Sequence, residues 1–256
     1  MKLLATPALT CVLFAAPLAH AQGTSPQPDE RGLQAVSPAL ERYERDTVFG
    51  NLWRRPDLSP RDRSIVTLAA LITRNQTAEL PGYLGLALDS GVMPSEVSEL
   101  ITHLAFYAGW GNAMAAIPAA RQVFASRGIG AGQLPAANPV LLPLDQAAEA
   151  ARAAGVAATV RPTAPGLEQF TTDTLFRDLW LRPGLAPRDR SLVTVGALLT
   201  AGHAAQLPYH LGRAMDHGLT RAEASEIVAH LAFYAGWPNA FSAVPVVKSV
   251  FDSRPN

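Results

Sequence analysis

Apolar residues recur along most of the chain at three- and four-residue intervals, and no segment sustains a two-residue alternation, so the pattern predicts helices throughout. From Pro38, residues Leu40, Tyr43, Val48 and Leu52 fall near helical spacing until Pro56 stops the run. A second helix starts at Ser59-Pro60, an N-cap followed by the residue best tolerated in a first turn, and carries Ile65, Leu68, Leu71 and Ile72. Its apolar positions cover so much of its circumference that it is expected to be central and buried. A third helix is expected over Thr77 to Ser90 before Gly91, a fourth over Pro94 to Gly109, and a fifth over Ala113 to Arg127 before Gly128. The fold class is all-α.

The same order occurs twice. His-Leu-Ala-Phe-Tyr-Ala-Gly-Trp stands at His103 to Trp110 and again at His230 to Trp237. One constant offset also carries Arg61-Asp62-Arg63-Ser64 onto Arg188-Asp189-Arg190-Ser191, and more than half of the aligned positions from Arg61 to Arg127 are identical. Such self-similarity marks a tandem duplication of one helical unit. The chain therefore divides into a signal peptide at 1–21, a flexible arm at 22–37, a first domain at 38–128, a linker rich in Ala, Pro and Gly at 129–164, and a second domain at 165–256. Within the linker, Asp145 to Ala154 reads as a short solvated helix on a tether rather than a site.

Charge changes the picture only by exclusion. Twenty-one basic and twenty-one acidic residues balance, so no global field draws the protein to nucleic acid or anionic membrane. Met1-Lys2, the apolar run Leu3 to Leu18 and Ala19-His20-Ala21 form the three parts of a secretory signal with cleavage after Ala21; the run is too short for a stable span. A periplasmic or secreted protein, free of the membrane after cleavage, is expected. Cys11 is the single cysteine and would be removed, leaving no disulfide, thiolate metal site or thiol chemistry.

Candidate chemistry sits on three helices. Glu99, His103, Tyr107 and Trp110 lie along one stripe of the fourth helix, as do Glu226, His230, Tyr234 and Trp237 in the second copy. A stripe joining imidazole to carboxylate and phenol suits proton transfer, although the same residues equally serve as core with Glu99 paired to an arginine. Arg61, Arg63, Arg188 and Arg190 start the second helices, where they oppose the helix dipole and need an anionic partner, either an inter-helix carboxylate or a bound acid. On the third helix the copies diverge: Glu79-Leu80-Pro81-Gly82-Tyr83 faces Gln206-Leu207-Pro208-Tyr209-His210. His203, His210 and His217 recur every seven residues, but with no acidic or thiolate ligand beside them a metal is not expected. A pocket using His210 with His230 is the better expectation.

These stretches together resemble the carboxymuconolactone decarboxylase family, within the alkyl hydroperoxidase D-like superfamily, over nearly all of both repeats. The matching residues are Arg-x-Arg-Ser-x-Val-Thr on the second helix, Glu/Gln-Leu-x-x-His on the third with Ala-x-Asp-x-Gly after it, and Glu-x-x-x-His with Tyr-Ala-Gly-Trp on the fourth. The resemblance implies an all-helical domain that assembles into trimers or hexamers, here a trimer of tandem chains. It also implies cofactor-free loss of CO2 from a small carboxylated lactone or similar acid. In that chemistry Arg188 or Arg190 would hold the acid, Gln206 would donate to the developing oxyanion and His210 or His230 would supply the proton, with Arg63, Tyr234 and Trp237 near the substrate and His103 as the first-copy counterpart. Tyr83 stands where the family has histidine, so the first copy is either degenerate or lends Glu79 across an interface. The peroxidase branch is similar but uses Cys-x-x-Cys, absent from both copies, so that activity lacks its nucleophile. Export argues against the usual intracellular catabolic substrate. A non-catalytic oligomeric binding or scaffold protein is the alternative.

Overall fold

The computed structural model describes residues 30–254. The signal peptide, and the first half of the arm at 22–37, lie outside the described residues. Among those described, all regular structure is helical. The arm's end, expected to be unstructured, forms a short helix α1 (Glu30–Val36). The first repeat then runs α2 (Pro38–Arg42), a π-helical stretch (Tyr43–Phe49), α3 (Pro60–Thr73), α4 (Leu80–Asp89), α5 (Pro94–Tyr107) and α6 (Trp110–Ser126). After α7 (Gln146–Thr159) the second repeat gives α8 (Pro165–Phe170), a π-helical stretch (Thr171–Phe176), α9 (Pro187–Thr200), α10 (Leu207–Asp216), α11 (Arg221–Ala235) and α12 (Trp237–Asp252).

Local chemistry sets most boundaries. Ser59 accepts from the Asp62 amide at 3.0 Å and caps α3 with Pro60 in its first turn. The third helix of each repeat starts later than Thr77, because its proline, Pro81 or Pro208, lacks an amide proton and is tolerated only in a first turn. Gly109 and Gly236 take φ of 95° and 88°, which lets α6 and α12 begin at the tryptophans, three residues before the expected start of the fifth helix.

The two repeats do not form separate cores. α3 and α9, both buried around their full circumference, cross at the centre of the molecule. The crossing is made by small residues, and a Cβ added at Gly196 would lie 3.3 Å from that of Ala69. Around this axis the repeats exchange partners. α5 of the first repeat packs on α9 of the second, and α11 of the second packs on α3 of the first. One apolar core runs through both, from Ile65 and Leu68 to Leu192 and Leu199. Each such fully buried side chain is worth about 1.5–3 kcal/mol relative to exposure, so pulling the repeats apart would expose core.

Candidate active site

The exchange of helices brings each fourth-helix histidine into the other repeat. His230 on α11 lies between Thr67 and Arg63 of α3: Nε2 is 2.7 Å from Thr67 Oγ1 and Nδ1 is 3.3 Å from Arg63 Nη1. A guanidinium can only donate, so Nδ1 accepts and the proton of the neutral ring sits on Nε2. His103 on α5 repeats the arrangement with Thr194 at 2.8 Å and Arg190 at 3.5 Å. Thr194 spends its own proton on the Arg190 carbonyl, which leaves Nε2 of His103 as the donor in that pair. Both rings are fully buried. Burial, reinforced by the neighbouring arginine, pushes His230 down to about 3 and His103 well below its ordinary value.

The same two clusters absorb the arginines. Arg63 donates to Glu226 Oε1 at 2.8 Å and to the Arg55 carbonyl at 2.8 Å; Arg190 donates to Glu99 Oε2 at 2.7 Å and to the Arg182 carbonyl at 2.7 Å. Burial would raise Glu99 and Glu226, but two arginines on each carboxylate overcome it and hold both below the usual range. Arg188 reaches Asp62 at 2.9 Å and Glu223 at 2.8 Å, while Arg61 reaches Asp189 at 2.7 Å and Glu96 at 2.6 Å, closing a ring of charge where α3 and α9 begin. All four arginines at the starts of the second helices are thus occupied by protein carboxylates. The expected role of Arg188 or Arg190 as holder of a bound acid is replaced by a structural one, and Arg63, expected near substrate, shares that fate.

The two clusters differ at one position of the third helix. Next to His230, Trp53 Nε1 donates to the Tyr234 hydroxyl at 2.8 Å, and Tyr234 donates to Tyr83 at 3.2 Å. Burial pushes Tyr234 up to about 12, and the chain of hydroxyls ends inside the protein. Next to His103, Trp180 Nε1 donates to Tyr107 at 2.8 Å, but the residue matching Tyr83 is the shorter His210. Tyr107 has no acceptor for its own proton among the described residues, and a cavity of about 1000 Å3 opens beside it.

This cavity gathers one face of α10. Gln206, His210, Arg213 and His217 follow at helical spacing and all line it, as do Trp180 and Tyr107. His210 is 8% exposed, edge-on to Tyr107 and stacked on Trp180, and its buried Nδ1 has no partner, which leaves Nε2 as the nitrogen facing the cavity. Burial, then the charge of Arg213, lowers it to about 4, so the imidazole is neutral near pH 7. Arg213 lies 4.4 Å over the Trp180 ring, has no carboxylate within ion-pair distance among the described residues, and leaves even its buried Nε unpartnered. A cation held on an aromatic face with its donors unspent is suited to an anion.

Several expectations need correction. His210 and His230 do not converge: His210 faces the cavity beside the first repeat's His103 and Tyr107, whereas His230 and Tyr234 close a packed cluster with Trp53 and Tyr83. His103, likewise, turns both ring nitrogens to protein groups. Trp237 is 52% exposed in a surface groove with Phe233 and Phe241, away from the cavity, because Gly236 ends the stripe one residue before it. Glu79 is exposed before α4, where it helps burial raise the neighbouring Glu44. Gln206 does reach the cavity. The linker is more than a tether, since α7 forms a cavity wall through Glu149 and Arg152. Sequence reasoning missed Arg213, although a comparison of the repeats marks it: the matching residue is Leu86, so a charge replaces an apolar residue one turn after His210. Among the described residues no cluster of His, Cys, Asp or Glu could hold a metal, and no helix is long and apolar enough to cross a membrane.

An all-helical duplicated fold whose repeats complete each other's buried Arg-Glu-His cluster, with a cavity beside the third helix of the second repeat, defines the class. Residues 38–122 and 165–249 both match the carboxymuconolactone decarboxylase family, and the chain belongs to that family. It is 34% identical over 84 residues to the 4-carboxymuconolactone decarboxylase of Acinetobacter baylyi, covering 33% of this chain and 63% of that protein. It is 32% identical over 90 residues to the nitrosuccinic acid decarboxylase npaB of Metarhizium robertsii, covering 35% and 62%. The chain thus spans about three fifths of the length of these curated relatives.

Proposed function

We propose that the protein is a cofactor-free decarboxylase of a small carboxylic acid or lactone acid, with its active site in the cavity of the second repeat. The observation that carries this is the unpaired guanidinium of Arg213 sharing that cavity with the unpartnered imidazole of His210. Decarboxylation sends the electron pair of the breaking C–C bond into a conjugated acceptor, releases CO2 and leaves a carbanion that takes a proton. A cation accelerates this when it stands at the acceptor, where negative charge develops, and retards it at the departing carboxylate. Arg213 and Gln206 are therefore assigned to the acceptor oxygen and His210 to proton delivery. An anion in the cavity offsets the Arg213 charge, the smaller of the two effects that keep His210 neutral, and so favours the protonated ring. The names of the two relatives, both decarboxylases, support the reaction class.

The signal pattern at the N-terminus supports action after export, in the periplasm or outside the cell. Self-association is supported by two matching apolar grooves, one around Phe106, Trp110 and Met114 and the other around Phe233, Trp237 and Phe241, which give every chain the same patch twice. The catalytic reading is tested by incubating the full chain with a panel of carboxylated lactones and nitro acids and measuring CO2. Turnover that drops about a hundredfold in Arg213→Gln and in His210→Ala is expected, the loss typical of removing one charge-stabilising donor. No turnover with any acid, or turnover untouched by both substitutions, refutes it and returns the protein to a binding or scaffold role.

A further inference from the structure

The cavity is larger than the proposed chemistry needs. Its volume of about 1000 Å3 stands at the top of the range, about 300–1,000 Å3, that holds drug-sized ligands, whereas the polar groups of α10 occupy a single helix face. The wall that α7 contributes runs from Ala148 to Thr159, about 16 Å at the helical rise. Its charges are spent within the chain. Glu149 accepts from Arg152 Nε at 2.7 Å and Nη2 at 2.9 Å, and Asp145 accepts from the amides of Ala147 and Ala148 and so caps the helix. What this segment and its neighbours otherwise present is mainly apolar and only half-buried: Leu142 and Leu144 before α7, Val156 on it, Leu175 from the π-helical stretch, and Leu181. α7 also meets the cavity with the exposed small residues Ala148, Ala151 and Gly155. A Cβ at Gly155 would meet nothing within 4 Å, so packing inside the chain does not require glycine there, although glycine is a poor helix former. Apolar side chains left half-wet around such a space are stabilised by an apolar ligand that covers them.

We propose that the acid taken by this cavity carries an apolar alkyl or aryl body, which lies along α7 and the leucines beside it while the anionic end meets Arg213. This rests on the reading of the cavity as an anion site given above, and adds the character of the rest of the ligand. The division follows from the walls. α10 supplies Gln206, His210 and Arg213, and the segment joining the repeats, with the start of the second repeat, supplies the apolar surface. A compact polar acid would leave the leucines facing water and gain nothing from them. An apolar body would exclude that water and thereby strengthen the attraction between Arg213 and the anion, because charges interact more strongly in a drier surrounding. The connecting helix is then a selective wall of the site.

Titration calorimetry on the full chain tests this with butanoate, hexanoate, octanoate and decanoate, saturated acids that lack the conjugated acceptor a decarboxylation needs. Affinity is expected to rise about two- to fourfold for each added methylene, the gain from burying it. Gly155→Leu fills the space beside α7 with a better helix former, and should weaken octanoate and decanoate about tenfold while leaving butanoate within about twofold. Ala151→Leu, on the same wall, should act alike and serves in its place if Gly155→Leu fails to fold by circular dichroism. Arg213→Gln should weaken all four acids by a similar factor and keep the dependence on length. Affinities that do not change with length, while Arg213→Gln abolishes binding, leave the anion site standing and overturn this inference. A dependence on length that Gly155→Leu and Ala151→Leu leave intact, and that Trp237→Glu removes, places the chains in the surface groove and overturns it too. If the dependence on length survives in Arg213→Gln with no loss of affinity, no acid is held there, and the anion reading falls and takes this inference with it; if none of the four binds, both fall.

Discussion

Acid should destabilise this protein well above the range in which its carboxylates titrate, because its buried histidines are held neutral. His230 is fully buried, spends both ring nitrogens on Thr67 and Arg63, and has its pKa pushed down to about 3 from an ordinary 6.5. The unfolded chain binds the proton that the folded chain refuses, so this stability is complete above pH 6.5 and is lost as pH falls toward the folded value. Each such site costs about 1.4 kcal/mol per pH unit in that window. Between pH 8 and pH 5, His230 and His210, the latter lowered to about 4, should each remove about 2 kcal/mol, with His103 acting in the same direction. The sum is a large part of the 5–15 kcal/mol that typical domains possess. Glu99 and Glu226, held below the ordinary 4.5, contribute only at lower pH. Urea unfolding at pH 8, 7, 6 and 5 reads the effect directly, and His230→Gln should flatten the slope below pH 6 by roughly 1.4 kcal/mol per unit while lowering stability overall. Identical slopes in both proteins would mean that His230 is charged in the folded state, and the assignment of Nδ1 as an acceptor from Arg63 would be wrong.

Two further outcomes follow from the geometry. Glu226→Gln leaves the fully buried Arg63 guanidinium without its carboxylate and should cost about 3–5 kcal/mol in chemical denaturation; a loss under about 1 kcal/mol would show that the pair is screened by water. Trp110→Glu combined with Trp237→Glu places charge in both apolar grooves and should leave a folded chain that sediments as a monomer; an unchanged sedimentation coefficient would remove those grooves from any interface.

Helical class, duplication and family were readable from one dimension because they rest on local chemistry: the spacing of apolar residues, prolines in first turns, glycines at the ends, and an octapeptide written twice. The third helix also declared its asymmetry, since His210 against Tyr83 is visible by aligning the repeats. What no pattern within one repeat contains is the exchange of partners. Arg63 meets Glu226, and Arg190 meets Glu99, because α3 and α9 cross closely enough to bring each fourth helix onto the opposite second helix. A stripe of Glu, His and Tyr reads the same whether it faces a cavity or a buried guanidinium, and that choice depends on groups more than eighty positions away. Only the packed molecule could show which arginines were already taken by carboxylates and that Arg213 was left with donors to spare. An ion pair is a relation between distant residues, and it exists once the core has brought them together.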